Sequence, residues 1–188
     1  MKKGRLFVIS GPGGVGKGTI IDEVLEDKSL GLVRGMNITS RPPRTSDRNN
    51  PHYIYVGPTE FEDMILTKKI IEYNFFMGNY YGTSKDSIYD QIDSGNHVLM
   101  EADINGGLAI KKEIPSAVLI FLYASLDQLE TRLRKRGDYN PKQIDDRMAI
   151  SKQELGFKGA YDYAVENPED HPEKCVEEVK QIIKKHIK

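Results

Sequence analysis

The chain has 188 residues, 38% of them apolar and 29% charged, and its 27 lysines and arginines nearly balance 28 aspartates and glutamates. This suits one globular domain with a real core, and it excludes the global positive field that draws a protein to nucleic acid or an acidic membrane. Cys175 is the single cysteine, which excludes an internal disulfide or a multi-cysteine metal cage; the histidines at 52, 97, 171 and 186 show no ligand spacing, so no protein metal site is expected.

The first apolar run, residues 5–10 (RLFVIS), ends at Ser10-Gly11-Pro12, too short for a signal peptide or a membrane span, so a cytoplasmic protein is expected. It reads as a strand, and residues 17–26 carry Ile20, Ile21, Val24 and Leu25 at helical spacing. Between them Gly11-Pro12-Gly13-Gly14-Val15-Gly16-Lys17 fits the G-x-x-x-x-G-K pattern of a phosphate-binding loop, after a strand and opening a helix as that motif requires. The glycines let successive N–H groups turn to phosphate oxygens, the helix N-terminus adds its positive dipole end, and Lys17 reaches the β and γ phosphates. A glycine-rich turn or helix cap is the plainer alternative, but a cap needs one glycine and this loop has four. Gly18 rather than Ser or Thr follows the lysine, with Thr19 next. That argues against a GTPase or a motor ATPase and resembles the GKGT ending of small nucleotide kinases, where Mg²⁺ can be held largely by phosphates and water.

Next, Thr39-Ser40-Arg41-Pro42-Pro43-Arg44 sets two arginines three apart in a proline-stiffened loop. It is a rigid double fork for a phosphate or, on this segment alone, a solvated basic loop. Residues 53–56, 70–76 and 79–83 read as short strands, with a helix capped by Thr59 between the first two, which makes an inserted small sheet. Tyr53 and Tyr81 offer phenolic donors. Glu72 is either an exposed strand carboxylate or an acceptor for two adjacent donors of one ligand.

Residues 97–100 and 117–123 are apolar runs, each followed by a helical pattern (104–112 and 126–135), the rhythm of a parallel α/β sheet with crossover helices. The run HVLMEAD ends in Glu101 and Asp103, two apart and therefore on one face at the strand edge where such sheets bind ligands; two polar residues merely ending a strand is the alternative. Arg136-Gly137 closes one helix and Pro141 opens another, a joint that lets a helical hairpin swing. Arg132 and Arg134 read as a solvated helix face. From Pro172 an amphipathic helix with Val176, Val179, Ile182 and Ile183 on one side covers the sheet.

GPGGVGKGT, TSRPPR, Tyr53, Ile71-Glu72-Tyr73, Gly78-Asn79-Tyr80-Tyr81-Gly82-Thr83, Glu101-Ala102-Asp103-Ile104-Asn105-Gly106, Arg136-Gly137 and Val165-Glu166-Asn167, in that order and spacing, resemble the guanylate kinase family over nearly the whole chain. The resemblance implies a three-layer P-loop NTPase fold with a central parallel sheet, in one domain spanning 1–188. Its core would be 1–36, 97–125 and 154–188, with a GMP-binding insertion at about 37–96 and a helical lid at about 126–153. It also implies transfer of the terminal phosphoryl group of ATP to GMP with Mg²⁺, on small-molecule substrates and with no nucleic-acid or membrane partner. Monomer and homodimer both stay open.

By the same similarity Gly11, Pro12, Gly13, Gly14, Val15, Gly16, Lys17, Gly18, Thr19 and Asn167 hold ATP, although Asn167 reads equally as a turn residue before Pro168. Arg41, Arg44, Tyr53 and Tyr81 hold the GMP phosphate, and Asn37, Glu72, Thr83 and Asp103 face the base, with Glu101 organising Mg²⁺ or its waters. Arg136 and Arg147 are the lid arginines, and with Lys17, Arg41 and Arg44 they form the catalytic set. Cations so placed contribute roughly 10³ to 10⁵ in rate. Two positions depart from the family: Asn37 stands where a serine is usual, and Asp47 matches the last member of a Gly-Glu pair.

The chemistry of the base supports Glu72 independently, since guanine presents N–H donors at N1 and N2 that one carboxylate accepts together. Adenine's N1 lone pair would face that carboxylate, a mismatch worth about 10⁴ to 10⁵ in favourable sites. The acceptor oxygen is already ionised, so no general base is expected. The alternatives are a kinase for another nucleoside monophosphate, which Glu72 and GNYYGT disfavour, and a non-catalytic guanylate-kinase-like protein-binding module, whose expected mark is a degraded P-loop.

Overall fold

Five consecutive buried residues make the first strand, β1 (Leu6–Ser10), a central one: Phe7 and Ile9 enter one apolar cluster, Leu6 and Val8 the other. The computed structural model describes residues 3–43, 53–76, 78–137 and 139–187. The further strands are β2 (Leu32–Arg34), β3 (Asn37–Thr39), β4 (Tyr53–Tyr55), β5 (Ile70–Phe76), β6 (Asn79–Ser84), β7 (His97–Glu101), β8 (Val118–Tyr123) and β9 (Tyr163–Glu166). The helices are α1 (Lys17–Glu26), α2 (Pro58–Leu66), α3 (Lys85–Asp93), α4 (Ile104–Glu113), α5 (Leu126–Arg136), α6 (Pro141–Glu154) and α7 (Pro172–Ile187).

The central sheet runs β2-β7-β1-β8-β9, all parallel. One face packs Ile20, Ile21 and Val24 of α1 against Cys175, Val176, Val179, Ile182 and Ile183 of α7, with Leu129 of α5. The other face takes Ile88 and Ile92 of α3 and Ile104 and Ile110 of α4. This is the expected α/β, three-layer arrangement. It brings the C-terminal ends of β1 and β7 side by side, so the loop after one and the acids ending the other share an edge.

A second sheet, β4-β3-β6-β5, sits over that edge, with Ile38, Phe61 of α2 and Ile70 as its own small core. Thr59 does not cap α2: Gly57 occupies the N-cap and Pro58 the first turn. Proline's fixed φ and missing N–H suit a position whose N–H has no helical partner, so the helix starts before the threonine. Helices α5 and α6 form the hairpin read from the sequence. Gly137 ends α5 at φ +72°, and Asn140 caps α6 in a reciprocal box with Gln143, with Pro141 in the first turn. Among the described residues no helix is long and apolar enough to cross a membrane.

Candidate active site

The phosphate loop is fixed from outside as well as by its own glycines. Gly16 sits at φ +97°, and a Cβ there would stand 2.8 Å from Asn167 Nδ2; both the conformation and the space demand glycine. That amide nitrogen donates to the Val15 carbonyl at 2.7 Å, while the backbone N–H of Asn167 donates to Tyr123 O at 2.8 Å. Asn167 is therefore buried against the loop, with its Oδ1 enclosed and without a partner. Arg132 corrects the solvated reading: its guanidinium donates to Val15 O at 3.1 Å and to Asn167 O at 2.8 Å, stapling the loop to the segment after β9. Arg134, by contrast, pairs with Glu130 on the exposed helix face, as the sequence suggests.

Lys17 folds back over its own loop, donating to Gly11 O at 2.8 Å and Pro12 O at 3.3 Å. The residue keeps some exposure, but its ammonium end is enclosed, and burial lowers its pKa against the opposing charges of Glu101, Glu154 and Asp103. Gly18 and Thr19 form the first turn of α1 and, with Gly14, Gly16, Arg132, Lys135 and Arg136, border a cavity of about 610 Å³.

A second cavity of about 300 Å³ lies between the loop and the small sheet, and Lys17 and Glu101 border both. Glu72 projects into it from β5. The register pairs Glu72 with Thr83, whose hydroxyl donates to Glu72 Oε1 at 2.7 Å. Burial pushes this carboxyl up to about 7; the Thr83 hydrogen bond opposes the rise and the Asp103 charge adds to it. Gly106 gives the carboxylate room, since a Cβ there would lie 2.8 Å from Glu72 Oε2. Asp103 caps α4, its Oδ1 accepting from Gly106 N at 2.6 Å. Asn37, opposite Thr83 in the ladder, donates through Nδ2 to Glu101 O at 3.0 Å.

Tyr53 and Tyr81 meet edge to face at 6.1 Å between ring centroids, and burial pushes the Tyr53 phenol up to about 12, which keeps it a neutral donor. Arg41 is only 8% exposed, its guanidinium carbon 5.6 Å from the ring centroids of both Tyr53 and Tyr55. This is no solvated loop arginine. Arg44 and Asp47 lie outside the described residues. Arg147 reaches the smaller cavity from α6, 3.4 Å from where a Gly13 Cβ would be, while Arg136 borders the larger one.

Two residues of the smaller cavity escape the sequence reading. Glu154, at the end of α6, stands with Gly11, Gly13, Lys17 and Arg147; burial raises its pKa, and Lys17 and the Gly13 N–H oppose that rise. It follows Arg147 by two helical turns, a spacing that puts both on one face. Asn74 follows Glu72 by two positions on β5 and donates from Nδ2 to Asp103 Oδ2 at 3.4 Å. Among the described residues no group of three or more His, Cys, Asp or Glu gathers as a metal cage. Glu101 stands between the cavities and borders both.

Together these features set an anion cradle against a pocket lined with hydrogen-bonding groups, across a shared lysine and carboxylate. Such a pair of cavities suits transfer of a charged group between two bound molecules.

The profile of the guanylate kinase family matches residues 3–186. A guanylate kinase of Bacillus cereus is 36% identical over 183 residues, covering 97% of this chain and 88% of that protein. One from Gloeobacter violaceus is 38% identical over 184 residues, with the same coverage. One from Bacillus subtilis is 34% identical over 189 residues, covering 100% of this chain and 92% of that protein. The crystal structure of guanylate kinase from Anaplasma phagocytophilum superposes with a TM-score of 0.75 at 24% identity, covering 98% of this chain and 87% of that one, and shares its fold.

Proposed function

The chain belongs to the guanylate kinase family, and we propose that its two adjoining cavities carry out ATP + GMP → ADP + GDP with the residues assigned below. The observation that carries this reading is the shared wall, because a lysine and a carboxylate common to both cavities bring a donor phosphate and an acceptor phosphate within one field.

In this reading residues 11–19 hold the ATP phosphates, through the backbone N–H groups that all of them but Pro12 carry, and Lys17 leaves the Gly11 and Pro12 carbonyls for the β and γ phosphate oxygens. Asn167 and Arg132 keep the loop in shape. Arg41, with Arg44, grips the GMP phosphate, helped by the Tyr53 and Tyr81 hydroxyls. Glu72 accepts from guanine N1–H and N2–H, Asn37 offers its amide to O6, and Asp103 Oδ2 faces the 2-amino group. Arg136 and Arg147 approach from either side of the moving group, whose three oxygens share the charge of the transition state. Glu101 would help hold Mg²⁺ through ordered water, and the ion would supply charge neutralisation to the phosphates. The GMP phosphate is already ionised, so no side chain has to remove a proton. We place the protein in the cytoplasm, where both nucleotides are available.

An intact cradle favours catalysis over a protein-binding module, and Glu72 favours guanine over other bases. ADP formation from ATP and Mg²⁺ with GMP, AMP, CMP or UMP tests the proposal. Turnover with GMP alone, lost by at least about 10²-fold in Lys17→Ala, is expected. Binding of GMP without any turnover would refute it and leave the binding module.

A further inference from the structure

Asn74 has no part in the mechanism above, yet it stands in the base pocket. It leaves β5 on the same face as Glu72, two residues earlier, and both border the cavity that contains Asp103. The Asp103 carboxylate is divided in use. Oδ1 is engaged by the Gly106 N–H as the cap of α4, and Oδ2 accepts from Asn74 Nδ2. Oδ2 is thus the oxygen available to a ligand, and the Asn74 amide lies against it. The contact also joins the two parts of the molecule, since Asn74 rides on the inserted sheet while Asp103 follows the core strand β7.

Guanine has three N–H bonds on the edge that meets these acids, one at N1 and two at N2. Glu72 accepts N1–H and one N2–H, Oε1 keeping a second lone pair beside the Thr83 hydroxyl, which leaves the other amino hydrogen for Asp103 Oδ2. Hypoxanthine keeps N1–H and O6 but has no 2-amino group. An oriented Asp103 Oδ2 therefore matters to GMP and not to IMP.

We propose that Asn74 is a positioning residue for acceptor specificity: it holds Asp103 Oδ2 towards the 2-amino group and so sets the preference for GMP over IMP. This rests on GMP being the acceptor. At 3.4 Å the contact is longer than the usual N–H···O bond of about 2.7–3.2 Å, so its effect is modest, about fivefold to tenfold. Asn74 is exposed on the edge strand of the small sheet, and its ladder partner Tyr81 pairs through the backbone, so truncating the side chain leaves the sheet intact.

The test measures GMP and IMP binding by titration, and kcat and KM for GMP, in the unmodified protein, Asn74→Ala, Asn74→Gln, Asp103→Asn and Asn74→Ala with Asp103→Asn. Asn74→Ala should weaken GMP about fivefold to tenfold in Kd and KM, leave kcat within about twofold and leave IMP within about twofold. Asn74→Gln, which keeps the amide, should recover part of the loss. In the Asp103→Asn background, Asn74→Ala should do nothing further to GMP. Equal changes for GMP and IMP, no change for either, or an undiminished effect without the Asp103 carboxylate would each overturn the proposal. If the unmodified protein fails to turn over GMP, the functional reading falls instead.

Discussion

Replacing Glu72 by glutamine should make the ligand-free protein more stable while removing its use of GMP. Burial raises the Glu72 carboxyl from 4.5 to about 7, with the Asp103 charge adding to the rise. At about 1.4 kcal/mol per pKa unit that is about 3 to 4 kcal/mol, reduced to about 2 kcal/mol for partial solvent screening. The folded protein holds this proton more tightly than the unfolded chain. The associated stability is therefore full below about pH 4.5 and is lost as pH rises through about 7. Glutamine has no charge to lose. Its carbonyl can still accept from Thr83, and its N–H groups turn a repulsion with Asp103 into an attraction. Urea unfolding at about pH 5 and about pH 8 reads the effect. Glu72→Gln should exceed the unmodified protein by about 2 kcal/mol at the higher pH and by a little under about 1 kcal/mol at the lower. A pH-independent difference, or a less stable variant at about pH 8, would refute the claim that the pocket stores an unfavourable carboxylate for its ligand.

Arg132→Ala removes the guanidinium bridge from Val15 O to Asn167 O and leaves only the Asn167 amide to tie the loop to the segment after β9, so KM for ATP should rise at least about tenfold with little change for GMP, together with a loss of about 2 kcal/mol in urea unfolding. An unchanged KM for ATP would return Arg132 to the solvated face. Gly107→Ala would put a Cβ 2.7 Å from the Tyr161 hydroxyl and 2.8 Å from Ser10 Oγ, and should destabilise by about 1 to 3 kcal/mol; a neutral Tm would show that this corner yields easily. Burial pushes the Cys175 thiol up to about 12, so iodoacetamide should leave the folded protein unlabelled at about pH 8 and react only on unfolding.

What is legible in the sequence follows from how local each signal is. The strand, loop and helix from Leu6 to Glu26 are contiguous, and one glycine-lysine pattern spans their junction. Glu101 and Asp103 are readable because a strand has period two and its C-terminal end has a known use. Arg132 misleads because its partners, Val15 and Asn167, lie far along the chain, and a helix-surface pattern carries no trace of them. Strands β2 and β3 have three residues each, too few to show a period, and α2 begins at Pro58 because proline outranks the neighbouring threonine as a start signal. Glu72 is ambiguous by itself; the ladder that sets Thr83 beside it and the glycine that makes room for it are tertiary facts. Asn74 and Glu154 share faces with residues the sequence does flag, so the signal is present but needs the pocket to give it meaning.

The most direct test of the central claim is a competition: ATP labelled in its γ-phosphoryl group is mixed with equal GMP and AMP, and the label is followed into GDP and ADP. The account expects labelled GDP over labelled ADP by at least about 10⁴, with the ratio collapsing in Glu72→Gln. Comparable labelling of the two products, or an unchanged ratio without the Glu72 carboxylate, would contradict it.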